Sequence, residues 1–352
     1  MSSPSLRELA RGLGLSHTTV SEALRDSPRV NPTTRDRVKK AALTAGYRLN
    51  PLAGALMSEM RRSRSGTFRG VLAILDLDGP TARPLGATRY HAELAKGAAA
   101  RAGELGFKAE TIVTGHRNIS DARLDTILRA RGIRGVFLLP VGNNPDISGL
   151  NWSHYAGVYS DYIIERPGLH SVCPDHYRSM MVALQHLHAL GYRRPGLALP
   201  MEVDTRLLHR WEASFRTYHE YDDAFVHLEP LVRDSFNRDH FVEWFDREKP
   251  DVVLSHRPEV LHWMADCGAK VPATHGYCCL NVTSNPEECA GLDLQPRLLG
   301  ARGMELLIAQ LHRNEYGVPD HPSTTTIAAA WVDGPTLRSQ QVNGTAAARR
   351  KR

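Results

Sequence analysis

Small side chains that both donate and accept hydrogen bonds crowd one stretch near the start of this 352-residue chain: Ser16, His17, Thr18, Thr19 and Ser21. At the exposed start of a helix, such side chains recognise nucleic acid, reaching base edges in a DNA groove or the phosphate oxygens beside it. Thr18 and His17 are the expected base-edge readers. Ser5, Ser16, Thr19, Ser21, Asn31 and Arg35 are expected to cap helices or to make positioning contacts, which hold register without reading sequence. No catalytic set competes with them. Gly12-Leu13-Gly14 is not a dinucleotide fingerprint, because His17 stands where the third glycine belongs and no strand precedes it. The chain has no Walker loop, nucleophile elbow or His-Glu-x-x-His. His186 and His188, and the adjacent Cys278 and Cys279, lack tetrahedral-site spacing, so no metal and no cofactor is expected.

The elements that would carry these side chains are legible locally. Ser5-Leu6-Arg7-Glu8 has the spacing of a capping box, and Leu6, Leu9 and Ala10 form a short apolar face. Gly12-Leu13-Gly14 falls where a tight turn is needed, since glycine accepts positive φ. Ser16 caps a second helix with Val20, Ala23 and Leu24 inward. Asn31 caps a third, with Pro32 at its first position, Val38, Ala41, Ala42 and Ala45 inward, and Gly46 as its stop. Two short helices joined by a tight turn form a helix-turn-helix shaped for a major groove.

Charge follows the same division. Residues 1–69 hold 13 Lys and Arg against five acids, a net +8, and Arg349 to Arg352 add +4. The whole chain carries +6, which leaves −6 for the stretch between. A basic head and tail on a mildly acidic body suit a nucleic-acid module attached to something with another task. Five cysteines imply no disulfide framework. The start lacks the charged and apolar regions of a signal peptide, and no apolar run approaches membrane-spanning length. A cytoplasmic protein without membrane contact is expected.

Beyond Arg69 the pattern becomes α/β. Strands are expected at Val71–Leu75, Ala109–Val113, Val136–Val141 and Tyr155–Tyr159, with helices at Tyr90–Leu105 and Asp121–Arg131. The pattern restarts with Ser171–Cys173, helix His176–Leu190 capped by Asp175, and strand Gly196–Leu199. Helices Arg210–Tyr221, Phe241–Glu248 and Glu259–Asp266, strands Val252–Leu254 and Gly276–Leu280, helix Arg297–His312 and strand Ser323–Ala330 complete it. Alternating strands and helices predict parallel sheets with right-handed crossovers.

LxxLAxxLGLSxTTVSxALRxxPRVxxxTRxRVxxAAxxxGYxxNPLAxxL, over about the first 57 residues, resembles the DNA-binding head and hinge of the lactose-repressor (LacI/GalR) family of transcription regulators. DHxRSMxxALQHLxxLGYRRPGLAL and the later LGARGMELLIAQL…WVDGPTLR resemble that family's sensor body. The resemblance implies a helix-turn-helix domain at 1–50, a hinge helix and basic linker at 51–68, and an effector-binding and dimerisation body at 69–337. That body would have two lobes like periplasmic binding proteins, crossed three times by the chain: 69–165 with 295–320, and 166–294 with 321–337. Residues 338–352 read as a basic disordered tail. Leu6, Arg25, Asn50, Ala53 and Leu56 join the expected DNA contacts, Leu56 as the hinge leucine that enters the minor groove. Gly54, where arginine is common, lowers the hinge's intrinsic helicity.

The resemblance further implies a homodimer on a near-palindromic operator, usually as a repressor, responding to a small effector between the lobes. By family position the effector-binding residues are Tyr90, His91, Asp175, Arg210, Trp211, His256 and Asp293. Each has a plainer reading: Asp175 as an N-cap, Trp211 as core, Tyr90 as lobe packing. The chain departs from the family with Ser255-His256-Arg257 after its VVL strand and with Trp211 four residues before Phe215, where arginine is common. Arg210, His256 and Arg257 near a cleft would suit a uronate or a sugar phosphate as well as a neutral sugar.

Overall fold

A computed structural model describes residues 6–45 and 68–338, apart from 25–26, 29, 80, 82, 116–118, 143, 145, 163–164 and 222–224. It divides into two compact units, Met1–Thr67 and Phe68–Arg352.

The first unit is built from α1 (Leu6–Leu13), α2 (His17–Leu24) and α3 (Pro32–Thr44). Leu9, Ala10, Val20, Ala23, Val30, Val38 and Ala42 form its core. Ala45, expected inward, is exposed, and Val30 from the loop before α3 is buried in the core. Gly14 supplies the left-handed turn residue at φ 64°, where a Cβ would be strained. The Leu15 amide closes that turn on the Ala10 carbonyl at 3.0 Å, and the Arg37 guanidinium donates to the Leu13 carbonyl at 3.0 Å. Arg37 thereby ties the end of α1 to α3.

The second unit holds two six-stranded sheets. The first comprises β1 (Gly70–Asp76), β2 (Phe107–Val113), β3 (Gly135–Leu138), β4 (Ala156–Tyr159), β5 (His170–Pro174) and β11 (Thr324–Ile327), in the order β11-β5-β4-β3-β1-β2. All its pairs are parallel. The second comprises β6 (Pro195–Pro200), β7 (Leu231–Arg233), β8 (Val252–Ser255), β9 (Gly276–Cys279), β10 (Gly291–Asp293) and β12 (Ala330–Val332), in the order β12-β10-β9-β8-β6-β7. Only β12 runs antiparallel there. The helices between are α4 (Leu85–Glu104), α5 (Asp121–Ala130), α6 (His176–Ala189), α7 (Met201–Arg206), α8 (Arg210–Tyr221), α9 (Arg238–Glu248), α10 (Glu259–Asp266) and α11 (Pro296–Arg313).

Sheet membership shows three passages between the lobes, after β5, after β10 and between β11 and β12. Two lie later than expected: His170–Pro174 and Thr324–Ile327 belong to the first sheet, although 166–294 and 321–337 were assigned to the second lobe. The run Ser323–Ala330, expected as one strand, is instead two strands in different sheets. The helix expected from Tyr90 begins at Leu85, directly after Pro84, which sets an extended entry. Three short elements, α7, β7 and β10, were not anticipated.

The long helices α4 and α11 pack face to face on the first lobe. A Cβ on Gly97 would stand 2.1 Å from the Arg297 carbonyl, and one on Gly300 would stand 2.0 Å from the Leu94 carbonyl. Glycine at both crossings allows the two backbones to touch.

Candidate functional site

In the head, Ser16 Oγ accepts the Thr19 amide at 3.0 Å and meets Thr19 Oγ1 at 2.7 Å. Asn31 Oδ1 accepts the Thr33 amide at 2.9 Å. Both residues are N-caps, satisfying amides that a helix start leaves open. His17, Thr18 and Ser21 lie on α2, Leu6 opens α1, and Arg35 lies in the first turn of α3, half-buried. Ser5, Arg25, Asn50, Ala53 and Leu56 lie outside the described residues, as do the hinge and tail.

In the second unit, the loops leaving the carboxyl ends of both sheets meet between the lobes, where open α/β sheets place ligands. Asp76 ends β1, accepts the Gly79 amide at 2.9 Å and is held by both terminal nitrogens of Arg83, one at 3.2 Å. Asp161 follows β4 and accepts the Tyr162 amide at 2.8 Å. Its partner is Arg206, the last residue of α7, so this ion pair joins the two lobes. Tyr162 donates its hydroxyl to the Pro174 carbonyl at 2.5 Å, and Arg210 lies over its ring at 4.3 Å. His176 meets Tyr162 at 5.7 Å and Trp211 edge-on at 4.8 Å. At another point of the boundary, Arg89 of α4 donates to the Ser284 carbonyl of the opposite lobe.

Arg206 is the electrostatic centre of this layer. Burial drives the His91 and His176 pKa values down to about 3, with Arg83 next in effect on His91 and Arg206 on His176. His256 falls to about 4, again chiefly by burial and then through Arg257 and Arg206. All three imidazoles are neutral at pH 7. Burial raises Asp161, an effect that Arg206 opposes. Burial also raises the Tyr90 hydroxyl, with Asp161 adding to the effect.

The seven residues expected to hold an effector converge here. Tyr90 is buried, within electrostatic reach of Asp161, Arg206 and Asp293. His91 faces Arg83, Asp76 and Arg206. Asp175 caps α6 by accepting the Arg178 amide at 2.9 Å. Arg210 covers Tyr162, Trp211 is buried against His176, and His256 faces Arg206. Asp293 accepts the Gln295 amide at 2.8 Å and the Thr283 hydroxyl at 3.4 Å. Arg257, grouped with Arg210 and His256 as a basic residue near the cleft, is paired with Glu259. Asp76, Arg83, Asp161, Tyr162, His176, Arg206 and Asn281 were missed. Most follow the carboxyl end of a strand, a positional signal available once the strands are assigned.

Buried polar atoms without a partner in the protein concentrate in the same place. They include Nε of Arg83, Arg89 and Arg210, Nδ1 of His91 and Oδ1 of Asn281. Such atoms are rare in native folds.

Residues 5–50 match the family model for bacterial regulatory proteins of the lacI family. The sucrose operon repressor of Escherichia coli is 28% identical over 200 residues, covering 54% of each protein. The chain thus spans about half the length of that relative. Among solved structures, a CelR–cellobiose complex aligns with TM-score 0.57 at 19% identity, over 95% of this chain and 99% of that one. A lac repressor dimer bound to operator and the anti-inducer ONPF aligns with TM-score 0.52 at 17% identity, over 96% and 100%. Residues 5–50 thus match the lacI family of bacterial regulatory proteins, and the two parallel α/β lobes that follow share the fold of these solved regulators.

Proposed function

We propose that this chain is a sequence-specific DNA-binding transcriptional repressor, acting in the cytoplasm as a homodimer and controlled by a small effector held between its lobes. The observation that carries the DNA half is the head itself. Ser16 caps α2, Gly14 turns the chain ahead of it, and the family model covers this stretch. Two such heads related by two-fold symmetry fit a near-palindromic operator. His17 and Thr18 read base edges, and Ser5, Leu6, Ser16, Thr19, Ser21, Arg25, Asn31 and Arg35 set register. Residues 51–68, through Asn50, Ala53 and Leu56 at and beyond their start, form the hinge that couples the body to DNA.

The control half is supported by the convergence of polar groups between the lobes and by related proteins named for sucrose and cellobiose. A sugar or sugar derivative is therefore the proposed effector class. It shifts operator affinity only by binding one arrangement of the lobes better than another. The Arg206–Asp161 pair is a contact that depends on how the lobes are set.

The test is capture of sheared DNA from the source organism by the full chain at moderate salt, followed by sequencing. A short palindrome is expected, and the His17→Ala/Thr18→Ala variant should keep weak, salt-sensitive binding while losing preference for it. Diffuse capture by the native chain, with and without a pooled metabolite extract, would overturn the reading.

A further inference from the structure

We infer that the effector of this chain carries an acidic group, a carboxylate or a phosphate, received by Arg210 in the interlobe layer. This rests on the interlobe layer being the effector site, and it departs from the neutral sugars that the relatives' names suggest.

Arginine donates and never accepts. Two guanidinium Nε atoms in this layer, on Arg83 and Arg210, are buried and meet no acceptor in the protein, and the same holds for that of Arg89 elsewhere on the boundary. The Arg83 side chain is 7% exposed, so water has little access to it. The carboxylates nearby have other partners, and for two of them those partners include an arginine. Asp76 serves Arg83 and Gly79, and Asp161 serves Arg206 and Tyr162. Asp175 caps α6, and Asp293 takes Gln295 and Thr283.

Charge repeats the pattern. Arg83 and Arg206 each have a carboxylate partner. Among the described residues, Arg210 forms no such ion pair, lying instead over the Tyr162 ring, and Arg89 reaches a backbone carbonyl. Arg210 therefore combines a buried, open Nε with the lack of a carboxylate partner. A neutral sugar hydroxyl offers Arg210 lone pairs but no counter-charge. An oxyanion supplies several lone pairs and a charge, and charge-assisted bonds to guanidinium are the strong ones. Arg206 links the three arginines: it acts on His91 together with Arg83, and on His176 together with Arg210. Arg257 and His256, the other basic candidates, contribute less, since Arg257 is paired with Glu259 and His256 is neutral.

Calorimetry and thermal melting of the full chain test this with matched sets: glucose, glucuronate and glucose 6-phosphate; galactose and galacturonate; fructose and fructose 6-phosphate. An acidic member should bind at least about 10-fold tighter than its neutral counterpart, the scale of a hydrogen bond to a charged group. Carboxylate and phosphate members separate the two sources of oxyanion. Arg210→Gln should remove most of that preference with the unliganded melting temperature held, and Arg210→Lys should keep part of it. Neutral members binding as tightly as acidic ones, no acidic member binding, or an Arg210→Gln variant with unaltered preference would each overturn the inference. A neutral sugar that releases captured operator would overturn it while leaving the regulator reading intact. Loss of palindrome capture would sink that reading separately.

Discussion

Replacing Arg206 with Gln should destabilise the two-lobed unit and make the loss depend on pH. Asp161 is 5% exposed at its side chain and Arg206 28%, so the pair is largely shielded from water. Removing one partner of a buried pair costs about 3–5 kcal/mol, because the other charge is left uncompensated. Here Asp161 keeps the Tyr162 amide at 2.8 Å and Arg206 is partly solvated, so the cost falls at or just below that range, about 2–3 kcal/mol. For a unit of this size that is a fall in melting temperature on the order of 3–5 °C. Asp161→Asn should cost less, about 1 kcal/mol, since the arginine can turn to water. The double variant should recover part of the loss, giving a coupling of about 1–2 kcal/mol in a double-mutant cycle. The sign of the pH effect follows from burial, which raises the Asp161 pKa in the folded state. Removing Arg206 raises it further. A group whose folded pKa lies above its unfolded value contributes stability below the unfolded pKa and loses it as pH rises through the folded one. The Arg206→Gln deficit should therefore be largest near pH 8 and shrink as the solution is acidified. Urea denaturation of the full chain across pH 5–8 measures it. A loss under about 0.5 kcal/mol, or a cycle coupling indistinguishable from zero, would refute the claim that this pair ties the lobes.

Two further outcomes follow from packing and protonation. Gly97→Ala should destabilise by about 3 kcal/mol, because its Cβ would lie 2.1 Å from the Arg297 carbonyl on another helix. Gly103→Ala on the same helix, with nothing within 4 Å, should be neutral or stabilising by about 0.5–1 kcal/mol, and urea midpoints of the pair measure the contrast. His176, held by burial and by Arg206 and Arg210 at a pKa of about 3, has a folded pKa below its unfolded value. Its contribution is present above about pH 6.5 and lost as pH falls toward 3. His176→Gln should accordingly flatten the stability profile between pH 7 and 4, read from melting temperatures across that range.

What could be read in the sequence was whatever is encoded locally. Ser16 and Asn31 are caps because a hydroxyl or amide oxygen two or three residues before an open amide needs no tertiary partner. Gly14 is a turn residue for a similarly local reason. The strand–helix alternation also shows in the chain, since buried parallel strands are apolar runs. The misreadings concern long-range choices. STTTIAAAWV reads as one strand, yet β11 pairs with β5 in one sheet and β12 with β10 in the other. Nothing local marks that change of sheet. Met201–Arg206 carries too few apolar residues at helical spacing to announce itself, so Arg206 was passed over. Its partner Asp161 lies 45 residues away, and only the folded arrangement reveals the pair. Arg257 was misjudged in the opposite direction, because the ion pair with Glu259 lies two residues on and was overlooked.

The missed residues bear most directly on control. Among the described residues, the two lobes meet through polar groups at three named points: Arg206 with Asp161, Arg210 over Tyr162, and Arg89 with Ser284. Arg206 and Arg210 flank a single turn, Leu207 to His209, in which Leu208 and His209 both have φ 55°. Left-handed backbone at two non-glycine residues is unfavourable and persists only where surrounding contacts over-determine it. Those contacts are visible. The fully buried Asp204 accepts the Trp211 amide at 3.0 Å and the Glu212 amide at 3.2 Å, and its carbonyl takes the His209 amide at 2.8 Å. One buried carboxylate thus shapes the turn that presents both interlobe arginines. A ligand that engages Arg210 acts on the same rigid turn as Arg206, and with it on the ion pair to the opposite lobe. Under the proposed reading, that turn is the physical route from effector occupancy to the setting of the lobes.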